Sequence, residues 1–206
     1  MRLLYTAGSP FARMVRIALL ETGLDTLVTK RELTRAQLYS ADSEVLVLSP
    51  IGRVPALELD DGTVLTESLL ILDYIDVHTR GPKLLPRNGS DGWRTLAEMG
   101  QAMGLLEGIT TWLRALLLPE PERSATVIAR ESSRVNRAAD ALESVVACGA
   151  YSGQFNTAQI VLGIALGLIE PRMPGWKWRD GRPHLSQWYD VIADRPSFRA
   201  TEPPAL

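Results

Sequence analysis

Apolar and polar positions change rhythm several times along this chain of 206 residues. Arg2 to Ala7 (RLLYTA) is a short apolar run ended by Gly8, and it predicts a buried first strand. From Phe11 onward the apolar residues recur at helical spacing through Met14, Val15, Ala18 and Leu19, with Arg13 and Arg16 on the other face. Gly23 is a helix stop signal, and Thr26 to Arg31 predicts a second strand. Residues 32–49 are more polar and predict an irregular segment or short helix. Ala56 to Leu59 predicts a strand, Asp60-Asp61-Gly62 a tight turn, and Thr63 to Leu65 the pairing strand. Thr66-Glu67-Ser68 then opens a helix ending near His78. The order is β-α-β-α-β-β-α. Strands joined by helical crossovers are parallel, and the hairpin adds antiparallel ones.

Beyond this region the strand rhythm disappears. Residues 79–91 (TRGPKLLPRNGSD) mix Gly, Pro and polar groups and predict a linker. Trp93 to Leu118 reads as one long helix stopped by Pro119, and Glu122 to Cys148 as a second. Asn156 to Ile169 is apolar enough to be a central buried helix, with Asn156 and Gln159 at capping-box spacing. Pro183 to Ala193 makes a last helix. The expected organisation is a small α/β domain over residues 1–80, a linker over 81–91 and an all-α domain over 92–206. Gly100, Gly104 and Gly108 recur every fourth residue on the long helix. Close packing within the helical domain, a dimer interface or a ligand cleft would each account for them.

Composition narrows the function classes. Hydrophobic residues at 46% and charged residues at 22% support a sizeable core. A net charge of −2, a pI near 5.8 and the lack of a basic block argue against nucleic-acid and anionic-membrane partners. The apolar run Ile160 to Ile169 is too short to cross a bilayer. Cys148 is the only cysteine, which excludes an intrachain disulfide, a CxxC pair and a cysteine-based zinc site, and no metal is called for. At an apolar helix end it predicts an inert, buried thiol. No secretory signal precedes the first strand, so a cytoplasmic location is expected.

The candidate chemistry begins at Ser9-Pro10-Phe11, where a hydroxyl stands between a strand and a helix. Pro10 suits the first helical turn, and Ser9 sits beside free backbone N–H groups at the positive end of the helix dipole. That is a helix cap and also an anion-binding position. Val54-Pro55 precedes a strand; with a cis bond, Val54 would present its backbone N–H and C=O to an extended peptide. Glu67-Ser68 opens a helix, where amides and hydroxyl can hold a carboxylate and Glu67 can pair with an ammonium. Helix capping by Thr66 is the structural alternative. A serine hydrolase is disfavoured, because only His78 and His184 exist and no G-x-S-x-G elbow occurs.

Taken in order, Ser9-Pro-Phe-Ala-Arg-Met-Val-Arg16, Ser49-Pro-Ile-Gly-Arg-Val-Pro55-Ala-Leu57 and Thr66-Glu67-Ser68 leading to Ile71-Leu-Asp-Tyr-Ile-Asp76 resemble the cytosolic glutathione S-transferase family. Phe155-Asn-Thr-Ala-Gln159 and Arg195-Pro-Ser-Phe198 extend the resemblance over the whole chain. It is similar to bacterial serine-type members, and Pro174-Gly-Trp176, Arg182-Pro-His-Leu185 and the tail from Arg199 resemble the YibF-like branch. The resemblance implies a thioredoxin-like N-terminal domain, an all-helical C-terminal domain, glutathione as co-substrate and a homodimer, in a detoxification role. It further implies that Ser9 is catalytic and meets the glutathione sulfur. Val54 would bond the cysteinyl backbone beside a cis Pro55, Glu67 and Ser68 would hold the γ-glutamyl end, and Arg53 the glycyl carboxylate. Phe11 would border glutathione and, with Met103, Leu106 and Trp176, the electrophile. A non-catalytic glutathione-binding or scaffold protein would keep the same residues. Two departures stand out: the capping box is neutral where the family has Ser/Thr and Asp, and no thiol stands at the Ser9 position as in cysteine-type relatives.

Overall fold

The computed structural model of the chain describes residues 1–85 and 89–204. They form two compact units, residues 1–85 with 196–204, and the helical remainder up to Arg195. Part of the expected linker, residues 86–88, lies outside the described residues.

The first unit runs β1 (Arg2–Tyr5), α1 (Pro10–Thr22), β2 (Thr29–Glu32), α2 (Arg35–Tyr39), α3 (Glu44–Leu48), β3 (Ala56–Glu58), β4 (Val64–Leu65) and α4 (Ser68–His78). The sheet order is β2-β1-β3-β4, with β1 and β2 parallel and the β1–β3 and β3–β4 pairs antiparallel. This is a thioredoxin-like arrangement. α1 packs on α4, while Leu4, Leu33, Val45 and Ala56 form a buried cluster with Leu38, Leu48, Val54 and Val64 against it. Gly23 ends α1 at φ 74°, where its lack of a Cβ removes the strain, and the chain turns through Leu24–Leu27 before β2 begins. The second strand is therefore displaced from the expected Thr26–Arg31, and every residue of it is exposed. The segment 32–49 holds two short capped helices. Thr34 and Gln37 form a complete capping box for α2, and Ser43 caps α3. Arg13 departs from the expected polar face. It is only 7% exposed and therefore part of the packing.

The second unit contains α5 (Gly89–Leu117), α6 (Ala125–Ala147), α7 (Thr157–Gly167), α8 (Ile169–Arg172) and α9 (Pro183–Ala193). α7 is buried along nearly its whole length and packs on α5, and α6 and α9 complete the bundle. Asn156 and Gln159 form the expected capping box. Where α9 approaches α7, a Cβ on Gly167 would lie 2.6 Å from the Tyr189 hydroxyl. Of Gly100, Gly104 and Gly108, the last is closely packed: a Cβ would lie 2.7 Å from Val135 Cγ2, whereas Gly100 and Gly104 have open space. Cys148 corrects the sequence reading. It caps the C-terminal end of α6, where the chain turns through Gly149, and its thiol is exposed. The short α10 (Pro196–Arg199) belongs to the first unit, although sequence order places it after the helical bundle.

Candidate functional site

Strand polarity assembles the site. β1 runs towards Tyr5, and Leu4 pairs with Ala56 of the antiparallel β3. The start of β3, and Val54-Pro55 before it, therefore lie at the end of the sheet where β1 finishes. β4 reverses direction again: Leu65 pairs with Leu57, so Thr66, Glu67 and Ser68 emerge at the same end. The loop from Tyr5 to Pro10 brings the start of α1 there as well. Three segments remote in sequence thus share one edge of the first unit.

Ser9 is the N-cap residue of α1. Its Oγ accepts the Ala12 N–H at 3.2 Å, and its carbonyl accepts the Arg13 N–H at 2.9 Å. Because the oxygen already serves as acceptor to the helix, the hydroxyl proton remains for an external acceptor. Ser9 is half-buried; its N–H donates to the Thr6 carbonyl at 3.1 Å, and its hydroxyl donates to no described residue. The cap and the donor role are one arrangement.

The Val54–Pro55 peptide is cis. Val54 is half-buried, and its N–H and C=O form no hydrogen bond with a described residue. At the start of α4, Glu67 is the N-cap residue but makes no side-chain cap, and Thr66 does not substitute for it. The first intrahelical bond runs from Ile71 N–H to the Glu67 carbonyl at 3.0 Å. The amides of Ser68, Leu69 and Leu70 thus stay open at the positive end of the helix, a place suited to a carboxylate. Ser68 is buried, whereas the Glu67 and Arg53 side chains are exposed and pair with no described residue. Together these groups offer a hydroxyl donor at Ser9, a backbone N–H and C=O without a described partner at Val54, and opposite charges at Arg53 and Glu67.

The remaining candidates fall as follows. Phe11 is half-buried in the first turn of α1. In the helical unit Met103 is half-buried, but Leu106 is fully buried and packs the core, so it offers no open surface. Trp176 is half-buried; its indole N–H donates to Asn136 Oδ1 at 3.1 Å and its ring leans on Trp112 at 5.5 Å. Trp178 is a core residue, packed edge-on against Tyr189. His78 is stacked on Tyr74 at the far end of α4, about 15 Å along the helix from Ser68, so it is no base for Ser9. Arg13, on the same helix as Ser9, is engaged in a way the sequence does not suggest: its guanidinium donates to the Phe198 carbonyl at 3.0 Å and to Thr201 Oγ1 at 3.3 Å. No spacing in the sequence pairs residues so far apart.

Residues 8–78 match the glutathione S-transferase N-terminal domain family, and residues 125–191 the C-terminal domain family. The chain is 31% identical to the GST-like protein YibF of Escherichia coli K12 over 205 residues, covering 99% of both chains. A glutathione transferase family member of Pseudomonas fluorescens Pf-5, solved with bound glutathione, superposes with a TM-score of 0.89 at 33% identity, covering 98% of each chain. A glutathione S-transferase of Methylobacillus flagellatus, also solved with glutathione, gives 0.88 at 27% identity over 98% of this chain and 99% of that one.

Proposed function

The chain belongs to the glutathione S-transferase family, and from that premise we propose that it binds glutathione at the β1–α1 edge and joins the glutathione thiolate to a small apolar electrophile. The observation that carries the reading is the state of the Ser9 hydroxyl: its oxygen is engaged by the Ala12 amide, so its proton is available to the glutathione sulfur. A free thiol with a pKa near 8.5 is only a few per cent ionised at neutral pH. A hydrogen bond to a charged acceptor contributes about 1.5–3 kcal/mol, equivalent to lowering the thiol pKa by roughly one to two. That change raises the thiolate fraction at neutral pH roughly 8- to 25-fold. The α1 dipole adds to it in the same direction.

The other residues hold the remainder of the tripeptide. Val54 bonds the cysteinyl N–H and C=O as an added strand would. The α4 amides and Ser68 take the γ-glutamyl carboxylate while Glu67 takes its ammonium, and Arg53 takes the glycyl carboxylate. Phe11, two residues after Ser9, offers apolar surface to glutathione and electrophile. In the transfer step the thiolate attacks the electrophilic carbon and the leaving group departs with the electron pair. Ser9 donates throughout and is never covalently modified. The protein works as a homodimer in the cytoplasm, with the exposed apolar residues Val47, Ile51, Leu70 and Val77 of the first unit covered by a second copy.

The test is a panel of electrophiles incubated with and without glutathione and followed by mass spectrometry, for the parent and Ser9→Ala. Conjugates that form with the parent and fall about tenfold in the variant support the reading. Parent turnover that Ser9→Ala leaves untouched removes Ser9 from the reaction. Glutathione binding without turnover leaves a binding protein of the same fold.

A further inference from the structure

We propose that Arg13 is a positioning residue for Ser9 and that the C-terminal segment Pro196–Thr201 holds it in place. The inference rests on the reading of Ser9 given above.

Arg13 lies one turn after Ser9 on α1 and is buried, which is unfavourable for a guanidinium unless its donors are met. The C-terminal segment meets them. Nη2 donates to the Phe198 carbonyl at 3.0 Å, Nε donates to Thr201 Oγ1 at 3.3 Å, and the guanidinium carbon stands 5.2 Å from the centre of the Phe198 ring. Thr201 is itself buried and directs its own hydroxyl proton to the Ser197 carbonyl at 2.8 Å, which leaves its oxygen to accept from Arg13. At the other end of α1, Ser197 Oγ donates to Glu21 Oε1 at 2.5 Å. The segment therefore binds α1 near both its ends and counts with the first unit.

The link to Ser9 runs through the first helical turn. The Arg13 N–H donates to the Ser9 carbonyl, and the Ala12 N–H donates to Ser9 Oγ. The backbone that aims the hydroxyl is thus bounded by Ser9 at one end and by a residue whose side chain is fixed at the other. Hydrogen bonds weaken steeply once distance and angle are lost, so a loosened first turn should show at the group Ser9 serves.

The experiment titrates glutathione bound to the full-length protein, following thiolate ultraviolet absorbance against pH, for the parent, S9A, R13Q, R13K and T201V. Glutathione affinity is measured in parallel at a pH where the thiol stays protonated. R13Q should raise the bound thiol pKa by about half a pH unit or more, with affinity for the protonated ligand held within about twofold. R13K should recover part of the effect, and T201V, nearly isosteric, should shift the pKa the same way by less. If S9A shifts the pKa while R13Q and T201V titrate like the parent, the positioning role is wrong and the Ser9 reading stands. If S9A also titrates like the parent, both fall. Should R13Q fail to fold, T201V decides alone.

Discussion

Replacing Gln159 by Glu changes one amide to a carboxylate at the buried start of α7, and the surroundings fix the consequence. The Gln159 side chain uses both ends of its amide. Its oxygen accepts the Asn156 N–H at 3.0 Å, and its nitrogen donates to the Tyr151 carbonyl at 2.7 Å. Gln159 is 4% exposed, and the Tyr151 carbonyl also accepts the Trp188 indole N–H at 2.8 Å. An ionised Glu keeps the first bond and loses the second, setting an anionic oxygen against a carbonyl oxygen. The lost bond costs about 0.5–1.5 kcal/mol, and burying the charge costs several kcal/mol more. Attraction to the helix N-terminus offsets about 0.3–1 kcal/mol, up to ~2 in a buried setting. The net expectation is destabilisation by roughly 2–4 kcal/mol, or roughly 5–15 °C in Tm for a chain of this size. The sign of the pH dependence follows. Burial and the facing carbonyl raise the folded-state pKa of the new carboxyl above its unfolded value of about 4.3, and the protonated form can donate to Tyr151. The deficit is therefore largest above the folded pKa and shrinks as pH falls through it. Thermal unfolding followed by circular dichroism at about pH 8 and about pH 5 reads both parts. Asn156→Asp is the control: it loses the bond to the Gln154 carbonyl but gains charge at the helix start, and should stay within about 1 kcal/mol of the parent. A Gln159→Glu protein as stable as the parent at the higher pH would refute the argument.

Gly104→Ala has open space for its Cβ and should stabilise by up to about 1 kcal/mol, whereas Gly108→Ala must displace the stiff, buried Val135 and should destabilise by about 1–3 kcal/mol; urea unfolding compares them. Arg53→Ala and Glu67→Gln should each raise the glutathione KM about tenfold with a smaller change in kcat, as loss of a charge-assisted contact to a distant part of the ligand predicts. Leu70→Glu with Val77→Glu should convert a dimer to a folded monomer on size-exclusion chromatography with light scattering. A parent that is already monomeric would remove the homodimer from the account.

Much of this was legible because strong local signals coincide with the fold. Gly8, Gly23, the Asp60-Asp61-Gly62 turn, Pro119 and Pro183 punctuate the chain where elements begin and end. The apolar runs of β1, β3 and α7 mark buried elements without help from tertiary context. β2 gave no such signal: it is an exposed edge strand whose residues Thr29–Glu32 are all polar, held by pairing to β1. Thr34 and Gln37 have capping-box spacing, but residues 32–49 lack the apolar periodicity that would have separated two short helices from an irregular segment. Arg13 looked like a solvent-facing residue because its partners, Phe198 and Thr201, lie nearly the whole chain away. Cys148 looked buried for the opposite reason, as an apolar neighbourhood in sequence became an exposed helix end. At the candidate site, residue types and spacing put forward Ser9, Val54 and Glu67 as candidates. Only strand polarity explains why three separate segments emerge at one end of the sheet.

The central claim is that the Ser9 hydroxyl donates to the sulfur of bound glutathione, and the pH titration of that thiol in parent and Ser9→Ala tests it most directly. The parent should bind glutathione with a thiol pKa roughly one to two below the free value near 8.5, and Ser9→Ala should return it most of the way. The lost cap should lower stability by only about 1 kcal/mol, so the variant remains folded for the measurement. A bound thiol that titrates at the same pH with and without the hydroxyl would contradict the account.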